Sequence, residues 1–228
     1  LSAVTGALLW SSPTGLYPKL QFVQVADFNG DGLGDIAMAD AGGTQSPANG
    51  ALRVYSPIGK PDLLASTPEQ IDGNKARGDL LQVADVDGDG FPDIYIPVLA
   101  SLTKGRAYVY SGKNGQLLGK SDELDRLFCQ QPTSLPQKTG PPLLLCTNTD
   151  SQSLSTLSVR GAFVLALQGD KLVRKWQHLV PDHSKDRFHS VFAGDLEGDG
   201  LFELVATEWI GGVWGVRILD VSTGKTLG

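Results

Sequence analysis

The sequence predicts an all-β protein built from repeated four-stranded antiparallel units, and three observations support this. An acidic loop of one design occurs three times, each time between short apolar segments rich in Val, Ile and Phe. The first two loops start 58 residues apart, and the second and third start 110 residues apart, close to twice a unit of that length. Each loop is followed by two further apolar segments around a turn that carries glycine. Short apolar runs bounded by turn residues are typical of strands.

The acidic loops span residues 27–35, 85–93 and 195–203, with oxygen-bearing side chains at loop positions 1, 3, 5 and 9 and glycine at positions 4 and 6. Carboxylates this close repel one another unless a cation lies among them. Oxygen ligands in this number favour Ca²⁺, with the main-chain carbonyl at position 7 as a further ligand. The predicted ligands are Asp27, Asn29, Asp31, Leu33 and Asp35 in the first loop, Asp85, Asp87, Asp89, Phe91 and Asp93 in the second, and Asp195, Glu197, Asp199, Leu201 and Glu203 in the third.

The acidic loops differ both from an EF-hand and from a simple hairpin turn. An EF-hand loop needs Glu at position 12 and a helix on either side. Position 12 is Met38, Ile96 or Ala206 here, and the flanking segments are β-rich, so the loops are predicted to join strands in hairpins. An ordinary Asp/Gly hairpin turn would account for one such loop. It does not account for three loops with the same spacing.

A fourth unit is predicted in the long gap between the second and third acidic loops. Residues 135–146, LPQKTGPPLLLC, align with the second loop and its following strand when Gly140 is matched to Gly90. The four acidic positions are then Leu135, Gln137, Thr139 and Leu143. This unit is predicted to keep its strands and to bind no ion.

Repeats of this length with four strands each favour a β-propeller. A β-sandwich is the alternative, but sandwiches do not need an internal repeat. The predicted blades are 18–65, 77–120, 128–177 and 187–228, with a half-blade at 1–17. The four units form either a complete ring or part of a larger one, and part of a larger ring is slightly favoured.

The motif D-x-[DN]-G-D-G-x-x-D at 27–35 and 85–93, with its Glu-containing variant at 195–203, resembles the FG-GAP/VCBS repeat family. Calcium-bearing blades of this kind also occur in the propellers of integrin α-subunits. The resemblance implies that the ion loop joins the first two strands of a blade. It does not imply one ligand, because such repeats serve adhesion, enzymes and scaffolds alike.

The amino-acid composition and charge limit the possible partners and location of the protein. Hydrophobic residues make up 41% and charged residues 19% of the 228, as in globular proteins. The net charge is −6, and the acidic loops hold three, four and four of the 25 acidic residues, so the rest of the chain is net positive. The sequence has no Lys/Arg stripe of the kind that binds nucleic acid. No apolar run is long enough for a transmembrane helix. Calcium loops of modest affinity favour an extracellular, cell-surface or periplasmic location.

The two cysteines, Cys129 and Cys146, flank the unit that is predicted to lack an ion. A disulfide between them would close a loop of about 18 residues and stabilise the fold by ~3 kcal/mol in the chain-entropy model. Such a bond would also fit an oxidising compartment. The alternative is two separate buried thiols.

Candidates for chemistry outside the loops are few. His178, His183 and His189 do not have the spacing of a known metal motif. Trp209 and Trp214 flank a Gly-Gly turn, where an exposed ring would suit carbohydrate stacking. No nucleophile elbow, P-loop or dinucleotide fingerprint occurs. Partners are expected on long polar loops at 41–50, 66–79 and 147–160.

The favoured hypothesis is therefore a calcium-stabilised binding or scaffold propeller that mediates adhesion or assembly through a protein or glycan ligand. No catalytic set of residues is visible in the sequence. The alternative is the propeller domain of a secreted polysaccharide-active enzyme, a lyase or hydrolase, or its carbohydrate-binding accessory domain.

Overall fold

The structure is a computed structural model of the chain. It describes residues 4–8, 11, 23–39, 52–57, 62–66, 81–99, 104–122, 124–125, 133–148, 160–182 and 184–228. All regular secondary structure in these ranges is β. The strands form antiparallel sheets that follow one another along the chain. This arrangement confirms the predicted all-β, propeller-like fold.

The first two blades each contain four strands in sequential order. The first blade is formed by β1 (Val23–Ala26), β2 (Asp35–Ala39), β3 (Leu52–Ser56) and β4 (Asp62–Ser66). The second is formed by β5 (Gln82–Ala84), β6 (Asp93–Leu99), β7 (Lys104–Ser111) and β8 (Leu117–Ser121), with the short β9 (Leu124–Asp125) paired to β7. Sequential antiparallel pairing requires only short connections.

The third blade is formed by β10 (Thr133–Leu135), β11 (Leu143–Asn148), β12 (Gly161–Gln168) and β13 (Lys171–Leu179). It is joined to the second blade by a short parallel pairing of β13 with β8. Strands therefore do form in the segment where the sequence predicts a unit without an ion.

One detail of that unit differs from the predicted alignment. Leu135 is paired with Leu143 inside the strand ladder and is fully buried. In the second blade the equivalent pair is Ala84 and Asp93. Leu135 therefore occupies a strand position, and the loop of the third blade is one residue shorter than the acidic loops.

Three long strands of the fourth blade are described: β14 (Arg187–Gly194), β15 (Glu203–Ile210) and β16 (Val213–Asp220). Beyond β16, Leu219 forms an isolated antiparallel bridge with Thr226. The predicted N-terminal half-blade at 1–17 is described only at 4–8 and 11.

The core consists of three layers of apolar side chains, one between each pair of successive blades. The alternation of side chains along a strand sends one row toward the preceding blade and the next row toward the following blade. Tyr95 and Val109 of the second blade, for example, pack with Leu144 and Phe163 of the third. The second and third blades contribute to two layers each, and the first and fourth blades contribute to one layer each. Every acidic loop therefore belongs to a blade that is fixed by apolar packing against a neighbouring blade.

Candidate metal sites

The three acidic loops occupy equivalent places, each between the first and second strands of its blade. In every case the residue before the loop pairs with the acidic residue at loop position 9. These pairs are Ala26 with Asp35, Ala84 with Asp93, and Gly194 with Glu203. The ladder therefore closes each loop at its base, as the hairpin interpretation predicts.

The carboxylate at position 1 organises each turn by accepting hydrogen bonds from backbone NH groups at positions 4 and 6. In the first loop, Asp27 Oδ1 accepts from Gly30 at 2.6 Å and Oδ2 accepts from Gly32 at 2.9 Å. The second and third loops repeat both bonds. The glycines at these positions all have φ between 76° and 88°, a region that other residues rarely adopt.

The acids at positions 5 and 9 repeat a second pattern. The position-5 carboxylate accepts from the NH at position 7 at 2.8–2.9 Å in all three loops. The position-9 carboxylate reaches back to the NH at position 2, as in the 2.8 Å bond from Leu196 to Glu203. Thus the longer Glu in the third loop makes the same bond that Asp35 makes in the first and Asp93 in the second.

The second loop has the most compact set of acidic oxygens. One carboxylate oxygen each from Asp85, Asp87 and Asp89 lie within 4.8 Å of one another. Two oxygens bound to one Ca²⁺ at about 2.3–2.6 Å are separated by at most ~5 Å, so this set fits a single ion. Among the residues that the structure describes, no other group of three His, Cys, Asp or Glu side chains is this compact.

The position-9 acids are buried, which is costly for a carboxylate without a cation or full hydrogen bonding. Asp35 is fully buried, and its Oδ1 atom has no hydrogen-bond partner. Burial raises the pKa of Asp35. Burial also raises the pKa of Asp93 to about 7; the Val86 NH opposes the rise, and the neighbouring Asp87 carboxylate adds to it. Both side chains are therefore placed where a cation would stabilise their charged form.

Successive loops touch one another. A methyl group added at Gly30 would lie 2.6 Å from Cε1 of Phe91 in the second loop. Likewise, a methyl group at Gly88 would lie 3.1 Å from Pro142 in the loop of the third blade. A side chain at position 30 is therefore disfavoured by the positive φ of 78° and would also displace the Phe91 ring.

The loop of the third blade contributes a cation to its neighbour. Lys138 Nζ lies 3.1 Å from Asp199 Oδ2 in the third acidic loop. The Leu201 NH and this ammonium together lower the pKa of Asp199. Within the third-blade loop, the amide of Gln137 donates to the Pro141 carbonyl. Sequence reasoning did not predict the Lys138 contact, because no local pattern relates two loops on different blades.

The remaining predicted sites are partly outside the described residues. This applies to His183, Cys129 and nearly all of the predicted recognition loops at 41–50, 66–79 and 147–160. Cys146 is fully buried in β11 and is not a free thiol. Because Cys129 is not described, its disulfide with Cys146 stays a prediction.

The predicted aromatic pair lies at the tip of the fourth blade. Trp209 and Trp214 are cross-strand partners with an edge-to-face contact of 5.5 Å between ring centroids. His189 packs edge-on against Trp214 at 5.8 Å. The Trp214 side chain is 55% exposed.

A cluster centred on the buried carboxylate of Glu208, which the sequence did not predict, joins β13 to β15 and β16. Glu208 is almost fully buried; it bonds His178 and accepts a 3.0 Å hydrogen bond from Nε of Arg217. Burial alone would raise the pKa of Glu208, but its bonds to His178 and Arg217 outweigh that effect and lower it. His178 is 30 positions from Glu208 in the sequence, and Arg217 is 9 positions from it. Their proximity therefore depends on how the strands pair and pack.

Because of this cluster, we expect the free energy of unfolding to depend on pH. The folded-state pKa of Glu208 is below its ordinary value. The ionised carboxylate therefore stabilises the fold at pH values above the ordinary pKa, and this stabilisation is lost as the pH falls through the folded-state pKa. Glu208→Gln should lower the free energy of unfolding by about 1–3 kcal/mol at pH 7. Urea denaturation in EDTA should show the difference from the wild type shrinking toward pH 3. A difference that is constant with pH would contradict the role of the Glu208 charge.

The fold and the repeated loops define a propeller-type protein with acidic turns at the same edge of several blades. Residues 27–96 match the family described as FG-GAP-like repeat, which confirms the predicted resemblance over the first two acidic loops. No curated protein matches the chain. Within the described ranges, no helix is long and apolar enough to span a bilayer.

Proposed function

We propose that the three acidic loops bind Ca²⁺ and that the ions stabilise a propeller that serves as a binding or scaffold domain. The observation that carries this proposal is the convergence of Asp85, Asp87 and Asp89 oxygens within 4.8 Å. The buried, unpartnered Oδ1 of Asp35 supports an ion in the first loop as well. The third loop repeats the same backbone hydrogen bonds, although its Asp199 is also paired with Lys138.

In each loop, the side chains at positions 1, 3, 5 and 9 and the carbonyl at position 7 would hold the ion. Ca²⁺ supplies charge neutralisation and additional bonds between the two ends of the hairpin. The chain itself contributes the turn: its glycines give the required backbone conformation, and its NH groups orient the carboxylates. The blade boundaries 18–65, 77–120, 128–177 and 187–228 are part of the same proposal.

The role outside the loops follows from what the blades provide. A rigid all-β scaffold with long polar connections suits recognition of a protein or glycan ligand on one propeller face. Weak calcium loops suit the millimolar calcium of an extracellular, cell-surface or periplasmic location. We propose adhesion or assembly there as the function, with a Cys129–Cys146 disulfide as a further covalent support of the third blade.

Removing calcium should destabilise the protein. We expect EDTA to lower the melting temperature and added Ca²⁺ to restore it in a concentration-dependent manner, because a ligand that binds only the folded state stabilises it by mass action. A site filled at 100 times its dissociation constant contributes about 2.7 kcal/mol. Mg²⁺ at the same concentration is the control, since it rarely accepts an all-protein set of ligands. An unchanged melting temperature after chelation would refute the proposal.

Partner binding is tested separately from calcium binding. The purified chain, in calcium, is applied to a glycan array and to a panel of extracellular surface proteins. Binding to one ligand that is lost in EDTA is the expected result. Turnover of a polysaccharide by the chain would instead favour the enzyme alternative.

A further inference from the structure

The residue at loop position 4 lies beside the loop of the following blade. A methyl group at Gly30, position 4 of the first loop, would lie 2.6 Å from the Phe91 ring of the second loop. A methyl group at Gly88, position 4 of the second loop, would lie 3.1 Å from Pro142 in the loop of the third blade. A long side chain at this position is therefore placed to reach the next loop.

The loop of the third blade has lysine at this position instead of glycine. Lys138 lies two residues before Gly140, just as Gly88 lies two residues before Gly90. Its ammonium crosses to the following loop, where Nζ lies 3.1 Å from Oδ2 of Asp199. A cation supplied by the third blade therefore lies at the edge of the third acidic loop.

Both carboxylate oxygens of Asp199 have partners. Oδ1 accepts a hydrogen bond from the Leu201 NH at 2.9 Å, and Oδ2 accepts from Lys138. The counterpart in the second loop, Asp89, is one of the three acids whose oxygens converge within 4.8 Å. The third loop, which the structure describes in full, contains no set of three this compact. A metal ion in the third loop would therefore have to draw Asp199 away from the ammonium.

The contact between Lys138 and Asp199 can be displaced. The Lys138 side chain is 65% exposed and that of Asp199 is 42% exposed, and ion pairs this open to water are weak. Lys138 also lines a cleft of about 220 Å³ between the third-blade loop and the third acidic loop. The ammonium therefore competes with a bound ion and does not close the site.

We propose that Lys138 sets the calcium affinity of the third acidic loop by competing with the ion for Asp199. This inference rests on the proposed calcium function and adds an order of filling, in which the third loop fills at a higher calcium concentration than the second. The ammonium occupies a ligand, and its charge repels a divalent ion bound nearby. From these two effects we expect Lys138 to weaken calcium binding about three- to tenfold. The junction of the third and fourth blades thus responds to calcium after the second loop is filled.

The test measures calcium binding at each loop of the full chain by NMR during a titration with CaCl₂. The backbone amides of the glycines at loop positions 4 and 6 report on their own loop. Gly88 and Gly90 give the half-saturating concentration of the second loop, and Gly198 and Gly200 give that of the third. The dispersion of the same spectra shows whether each variant is folded.

The variants separate the charge of Lys138 from the rest of its side chain. Lys138→Gln removes the ammonium, and Lys138→Arg keeps a cation within reach of Asp199. Lys185→Gln is the control for loss of one positive charge. Lys185 is 81% exposed, is paired with Asp182, and precedes β14, at the end of that strand away from the acidic loop.

In Lys138→Gln, the half-saturating calcium concentration of the third loop should fall about three- to tenfold, and that of the second loop should not change. Lys138→Arg and Lys185→Gln should bind as the wild type does. An unchanged third loop in Lys138→Gln, or an equal fall in either of the other variants, would overturn the inference while the second loop still binds calcium. If no loop responded to calcium, the proposed function would be refuted, and this inference with it.

Discussion

Alanine in place of Asp87 will remove the calcium-dependent stabilisation supplied by the second acidic loop. Asp87 provides one of the three converging carboxylates. Loss of one well-occupied site should cost about 2.7 kcal/mol of the free energy of unfolding in calcium. For a chain of this length, we expect the melting temperature to fall by about 5–10 °C. In EDTA the variant should melt close to the wild type.

The matched control is Gln137→Ala in the loop of the third blade. Gln137 occupies the equivalent loop but lacks a carboxylate, and its amide bonds the Pro141 carbonyl. Its substitution should leave the difference in melting temperature between calcium and EDTA unchanged. If both substitutions reduced that difference equally, the assignment of the third blade as ion-free would be wrong.

Truncation of the core between the second and third blades is expected to be equally damaging but independent of calcium. Leu165 is fully buried in that layer with Phe163 and Tyr95. Leu165→Ala should lower the free energy of unfolding by about 2–5 kcal/mol, because it removes apolar contacts and leaves a cavity. Chemical denaturation in calcium and in EDTA should show the same loss in both buffers.

Leu117→Ala is the control for this truncation, since it removes the same atoms from a side chain that is 49% exposed. Its cost should be well below that of Leu165→Ala. Equal costs would show that the layer between these blades does not dominate the stability of the propeller.

Much of the candidate site followed from local sequence. The spacing of Asp27, Asn29, Asp31 and Asp35 is sufficient to predict a tight turn with inward oxygens, because each bond of the turn joins residues no more than seven positions apart. The flanking Val-rich segments likewise predicted strands, and the structure confirms strands on either side of all three loops.

The third blade shows where alignment alone was insufficient. Gly140, matched to Gly90, has a similar positive φ of 84°. Leu135, however, lies in a strand, because pairing with Leu143 buries it in the layer facing the fourth blade. The alignment contained no gap, so it placed Leu135 in the loop. Strand register depends on the packing partner, which the local sequence does not specify.

The sequence by itself determined the repeat, the strands and the acidic turns, since these depend on residue type and spacing over a few neighbours. Only the tertiary structure decided that Lys138 meets Asp199, that Glu208 lies between His178 and Arg217, and that Asp35 Oδ1 is buried without a partner. It also decided which apolar rows lie between blades. The physical reason is that burial and charge pairing arise from residues distant in the chain, whose positions are set by how the blades pack.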